Sequence, residues 1–167
     1  ICAAFEAIET DAAAQNSPIL PGHEQPGRFE RKSWTRQNED KTPGGGGVMS
    51  LMRGRVFEKV GVNVSTVEGT FSPDFAASIP GASENPHFFA TGISLVAHTC
   101  NPLVPAAHFN TRMIITTQGW LGGGGDITPM FPASEEAPVD EATFHAALAQ
   151  ACNTHDPVYY PRFKARG

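Results

Sequence analysis

Apolar residues recur along this chain with two periods, and the switches between them mark out the elements. Over residues 1–13, Ile1, Phe5 and Ile8 fall on one stripe with alanines between, the spacing of an amphipathic helix. Residues 14–30 hold three prolines among polar residues and predict a loop. A short strand is expected over Phe29–Arg36, anchored by Phe29 and Trp34. Residues 48–57 and 62–67 alternate well enough to predict two more strands, broken at Gly61, with Arg53 and Arg55 flanking Gly54 inside the first. The strongest strand signals are Phe88–Thr99 and Ala107–Thr117, joined by a loop from Cys100 to Ala106. Residues 72–87, rich in Pro and Ser, predict irregular chain with one helical turn. A helix fits Val139–Ala151, with Pro138 near its first turn and Phe144, Leu148 and Cys152 on one stripe.

Glycine punctuates this pattern twice. The run Thr42–Gly47 is expected to lie outside any regular element, because glycine gives up the most backbone freedom on ordering. Trp120 leads into the second run, Gly122–Gly125, and then Asp126-Ile-Thr-Pro129. Strands that succeed one another through loops, without helical crossovers, predict an α+β fold: a mainly antiparallel sheet flanked by α-helices. At 167 residues the chain has room for one core and not for two ordinary domains.

Composition narrows the function. Hydrophobic residues at 40% and charged residues at 17% describe a globular chain rather than a disordered one. A net charge of −5 argues against a general nucleic-acid or anionic-membrane surface, so an anionic ligand would need a local Arg or Lys. Cys2, Cys100 and Cys152 cannot all pair and include no CxxC, which reads as reduced thiols in a cytoplasmic protein. No apolar run approaches the ~18 residues of a spanning helix, and no signal peptide is visible. The chain opens inside a helix without Met and closes as a basic, aromatic segment begins, so it reads as a fragment.

The candidate chemistry lies on the two strongest strands. Ser94, Val96 and His98 share one face of the first; His108, Asn110 and Arg112 share one face of the second, with Phe109, Thr111 and Met113 opposite. A connection closing about Leu103 would pair His98 with His108, Val96 with Asn110 and Ser94 with Arg112. Arg grips a carboxylate through two parallel bonds, Ser and Asn orient a ligand without adding charge, and His donates protons or ligates metal. The competing reading of such a face is the solvated side of a half-buried sheet. His145, on the last predicted helix, reads by itself as a packed, hydrogen-bonded histidine, and His23, His87 and His155 carry no signal. Neither glycine run is a phosphate loop or dinucleotide fingerprint; close approach to a ligand, a lid and a tight turn all fit. Trp120 reads as core, and Arg53 and Arg55 as solvated surface.

Four ordered segments carry a resemblance. Gly44–Ser65, Gly92–Arg112, Trp120–Pro129 and Tyr160–Lys164 resemble the signatures of the oxygen-dependent coproporphyrinogen III oxidases. Cys100 stands where members usually place Arg or another bulky polar residue, Leu121 stands near a usual aromatic, and residues 37–43 look expanded. The resemblance implies that residues 1–167 are the N-terminal portion of one larger domain whose C-terminal remainder is absent. With that remainder would go a further histidine, an acidic residue assigned to catalysis and much of a homodimer interface, leaving the fragment alone inactive. The implied reaction is oxidative decarboxylation of two propionates of coproporphyrinogen III to vinyls, giving protoporphyrinogen IX and CO2. Molecular oxygen is the co-substrate, and no organic cofactor is needed. It also implies Ser94, Asn110, Thr111 and Arg112 as substrate contacts, His108 as proton donor, and His98, His108 and His145 as ligands of a divalent metal cation. The alternative is a non-catalytic tetrapyrrole- or metal-binding fragment that keeps part of the pocket.

Overall fold

Six strands follow one another up and down in chain order. They form a single antiparallel sheet, β1-β2-β3-β4-β5-β6, in a computed structural model that describes residues 1–14 and 21–165. The elements are α1 (Cys2–Ala14), β1 (Glu30–Gln37), β2 (Pro43–Met52), β3 (Phe57–Thr70), α2 (Pro73–Ala76), β4 (His87–Thr99), β5 (Ala106–Ile115), β6 (Gly119–Thr128), α3 (Ala137–Asn153) and α4 (Tyr159–Lys164). The expected α+β class holds, as do the helix at the start, the strands on either side of Cys100 and the helix after Pro138. Of the predicted 14–30 loop, residues 15–20 lie outside the described residues, as do Arg166 and Gly167 at the end. Helix α4 has no counterpart among the expected elements. No helix among the described residues is long and apolar enough to cross a membrane.

The described chain divides into two compact units. The first, Ile1–Cys100 with Ala107–Asp126, holds the sheet, α1 and α2. Its core sits on one sheet face, where Met52, Val60, Val62, Leu95 and Ala97 meet Phe29 and Phe57, and Phe5 of α1 packs edge-on against Phe57 with ring centroids 5.0 Å apart. Each such aliphatic or aromatic side chain stabilises the fold by about 1.5–3 kcal/mol when fully buried. The second unit comprises Asn101–Ala106 and Ile127–Gly167 and contains α3 and α4, which meet where His145 faces Tyr160 with ring centroids 6.2 Å apart.

Glycine behaves differently from expectation in three places. The Thr42–Gly47 run was expected to be irregular, yet β2 begins at Pro43 and passes through it. A Cβ on Gly46 would run into the carbonyl oxygen of Trp34 in β1, and one on Gly47 into that of Val64 in β3. Glycine is therefore what lets β2 lie between its neighbours here, a packing gain that overrides its poor strand propensity. Gly122–Gly125 lie in β6 for a related reason, since a Cβ on Gly123 would strike the carbonyl oxygen of Asn110 in β5. Gly61 does not break a strand; β3 runs unbroken from Phe57 to Thr70, with Gly61 paired to Leu51 and Val96.

Arg53, Gly54 and Arg55 form the β2–β3 turn rather than a strand interior. The turn closes on a buried acid. Glu9 of α1 is 0% exposed, and its carboxylate accepts backbone N–H bonds from Gly27 (3.0 Å), Arg55 (2.7 Å), Val56 (3.0 Å) and Phe57 (2.9 Å). A turn that aims several N–H groups inward is a ready anion cradle, and here the occupant comes from the chain itself. Any Cβ on Gly54 would collide with that carboxylate.

Candidate active site

The face of the sheet opposite the core carries Ser94, His98, His108, Asn110 and Arg112. Observed pairing sets Ser94 against Asn110, Val96 against His108 and Gly92 against Arg112. This is displaced by two residues from the register expected for closure about Leu103, so His98 does not pair with His108. Because side chains alternate with a period of two, that displacement leaves every side chain on its expected face. His98 lies opposite Lys59 of β3 and diagonal to His108, their ring centroids 6.4 Å apart and nearly perpendicular at 84°. Thr111 pairs with Ile93 and alternates onto the core-side face, so it offers its main chain rather than its hydroxyl to the polar face.

Pairing builds a continuous row across five strands: Trp34, Gly47, Ser65, Gly92 and Arg112. Its three middle members are small, so the row is a shallow floor between an indole and a guanidinium. Arg112 is exposed and makes no ion pair or side-chain hydrogen bond among the described residues. A hollow of about 440 Å³ lies over this floor, with Ser94, Asn110 and Arg112 along one side and Phe71, Phe75 and Ile79 along the other. A second hollow of about 270 Å³ adjoins it, where Asn110 and Arg112 meet Trp120 and Gly122–Gly124 of β6. Trp120, expected in the core, is thus half-buried on the polar face. A third, of about 360 Å³, extends from Ser94 and His98 to Met49 and Lys59. A larger hollow of about 760 Å³ beside the β1–β2 turn contains none of the candidate residues.

The sequence reading missed one member of this face. Asp126, near the end of β6, places Oδ1 2.7 Å from Nδ1 of His108. The N–H at Nδ1 donates to the carboxylate, which fixes the tautomer and leaves Nε2 to take up or release a proton. Sequence reasoning put the acid of this site beyond the end of the chain, yet a carboxylate stands on the strand next to His108. Its signal was there in the segment Trp120–Pro129, had the glycine run been read as a strand beside β5.

His145 lies in the second unit, on α3. Its Nε2 accepts a hydrogen bond from Nζ of Lys164 at 2.9 Å, and Glu141 stands 3.9 Å away. Its Nδ1 is buried and has no hydrogen-bond partner among the described residues. Among the described residues no group of three or more His, Cys, Asp or Glu side chains gathers to hold a metal ion.

Cys100, at the end of β4, has His23 for a neighbour. Both close on the β2–β3 turn: His23 Nδ1–H donates to the Gly54 carbonyl at 2.6 Å, and the Cys100 thiol lies 3.7 Å from the same oxygen. Burial, and then the nearby carboxylates of Glu9 and Glu58, push the thiol above its ordinary pKa of 9.0, which disfavours the nucleophilic thiolate.

By architecture this is an α+β protein with one apolar sheet face and one polar face that carries an unpaired guanidinium. The family model described as coproporphyrinogen III oxidase matches residues 2–167. The chain is 54% identical over 164 residues to the oxygen-dependent coproporphyrinogen-III oxidase of Rickettsia bellii (strain RML369-C), covering 98% of this chain and 53% of that protein. It is 52% identical over 162 residues to the enzyme of that name from Rickettsia felis (strain ATCC VR-1525 / URRWXCal2), covering 97% of this chain and 53% of the relative. The chain belongs to the coproporphyrinogen III oxidase family, and it spans about half the length of the curated relatives it matches.

Proposed function

We propose that the protein containing this chain converts coproporphyrinogen III to protoporphyrinogen IX with molecular oxygen, as the names of its relatives suggest. On this reading residues 1–167 are part of one larger catalytic domain, and they bind substrate without turning it over alone. The observation that carries the reading is the unpaired Arg112 beside Ser94 and Asn110, on the same face as the His108–Asp126 pair. A guanidinium with no internal acid partner is free to clamp a propionate through two parallel bonds.

Each turnover converts one propionate, and the atoms set what the site must do. The side chain loses CO2 and one hydrogen from the adjacent carbon, a vinyl double bond forms, and two electrons pass to O2. Reduced by those two electrons, O2 leaves as hydrogen peroxide after taking up two protons, one derived from the substrate C–H and one from the site. His108 supplies the latter from Nε2, while Asp126 holds the Nδ1 N–H and keeps the ring in place. Arg112, Ser94 and Asn110 fix the carboxylate that will leave, so orientation is the protein's main contribution. No step is assigned to a divalent cation. The same reading carries a homodimer in the cytoplasm, open to sedimentation and fractionation.

The test is oxygen uptake by the full-length protein with coproporphyrinogen III, with product read by porphyrin fluorescence after oxidation. One O2 consumed and one CO2 released per propionate is the expected result. A full-length protein that binds the tetrapyrrole yet consumes no oxygen would move the reading to a non-catalytic carrier.

A further inference from the structure

Between β3 and β4 the chain makes a closed excursion, Phe71 to Pro86, whose neck is tied by the Phe71 N–H to the Pro86 carbonyl at 2.9 Å. Compact loops of this form with joined ends are pinned by their own side chains and often carry function. Here the pinning is double. At the neck, Phe71 stacks on Phe88 of β4 at 4.3 Å and 16°. At the far side the β5–β6 turn holds it, Thr116 Oγ1 donating to the Pro80 carbonyl (2.7 Å) and Thr117 Oγ1 to that of Gly81 (3.0 Å). Gly81 has φ 72°, and a Cβ there would press on both hydroxyls, so the close approach requires glycine. Within the loop, Ala76 and Ala82 are buried.

This loop holds one side chain out. Phe75 is 53% exposed, edge-on to Phe71 at 5.2 Å, and it borders the hollow whose other side carries Arg112, Ser94 and Asn110. A fixed loop that keeps an aromatic ring beside a free guanidinium matches a ligand with an apolar body and an acidic arm. We propose that the Phe71–Ile79 wall, with Phe75 as its contact residue, sets tetrapyrrole specificity. It packs on the pyrrole ring whose propionate Arg112 holds, admits a methyl group beside that propionate, and rejects a carboxymethyl group there. Rejection follows from desolvation: a second carboxylate pressed against Phe75 and Ile79 loses its water and gains no cation. This inference rests on the function proposed above and adds the substituent pattern that the same site selects.

The experiment uses the full-length protein and two stable oxidised probes, coproporphyrin III and the octacarboxylic uroporphyrin III, with binding read by fluorescence quenching. The parent is expected to prefer coproporphyrin III. Phe75→Ala should weaken coproporphyrin III binding about tenfold, the scale set by taking one aromatic ring away from an apolar ligand face, and should narrow the preference over uroporphyrin III. Phe75→Leu, which keeps an apolar wall, should retain most of both. Both affinities are read on one sample, so their ratio does not depend on the fraction folded. A parent that binds neither probe overturns the functional reading and this inference together. A parent that binds coproporphyrin III, with an unchanged ratio in Phe75→Ala, overturns this inference alone.

Discussion

His108 and Asp126 meet across the β5–β6 edge, with Nδ1 and Oδ1 2.7 Å apart, although 18 residues separate them in sequence. The carboxylate orients the imidazole and selects its tautomer. In the full-length enzyme Asp126→Asn should therefore lower kcat roughly a hundredfold while changing KM little, the size expected when a positioned proton donor is disabled. Steady-state kinetics with coproporphyrinogen III will decide; an unchanged kcat would mean that the pair only fastens β6 to β5.

Arg112→Lys keeps the charge and loses the forked pair of bonds. Misplacing the propionate should cost both affinity and turnover, with kcat/KM falling roughly ten- to a hundredfold for about 1.5–3 kcal/mol of lost interaction. Full activity in Arg112→Lys would show that the guanidinium serves only as solvated surface.

Glu9 tests the scaffold instead of the chemistry. Its carboxylate satisfies four backbone N–H groups, those of Gly27 and Phe57 buried and those of Arg55 and Val56 partly so, and Glu9→Ala strands all of them. The expected loss is about 3 kcal/mol or more, read from urea unfolding. Glu9→Gln should recover only part of it, because its NH2 would confront donors with another donor. A Glu9→Ala protein as stable as the parent would show that water replaces the carboxylate without cost.

Cys100 makes stability fall in alkali. Its pKa is raised above 9.0 in the folded state, chiefly by burial. Below that value folded and unfolded chains both keep the proton, and the contribution is fully present. Above it the unfolded chain ionises first and binds fewer protons, so stability declines as pH rises until the folded thiol ionises too. Cys100→Ser should flatten this part of the pH–stability curve, and the parent thiol should alkylate slowly at pH near 8 compared with a free cysteine of roughly ordinary pKa.

Periodicity carried the sequence reading wherever side chains exist to show it. Helices α1 and α3 and strands β4 and β5 stand out because their apolar positions repeat, and the polar face was assigned correctly even with its register displaced by two. Glycine has no side chain to repeat, so β6 and the first half of β2 were invisible as strands. Losing β6 also hid Asp126 as a neighbour of His108. Glu9 was illegible for another reason: its partners are main-chain N–H groups, whose positions no residue type announces. Ser94, Asn110 and Arg112 could be placed on one face because they alternate on strands recognised as strands, while the position of Phe75 beside them is hidden in a segment whose sequence reads only as irregular.

The order of the sheet has a consequence for how the chain is made. Each strand pairs with the strand just before it, so every hairpin can close as soon as its second strand leaves the ribosome, without waiting for distant sequence. Glu9 is an exception, since three of its donors, Arg55, Val56 and Phe57, come 46 to 48 residues later. The first helix therefore emerges with an acid that has nowhere to dock until the second hairpin turns. Docking of α1 then becomes the step that registers, early in synthesis, that β2 and β3 have paired correctly.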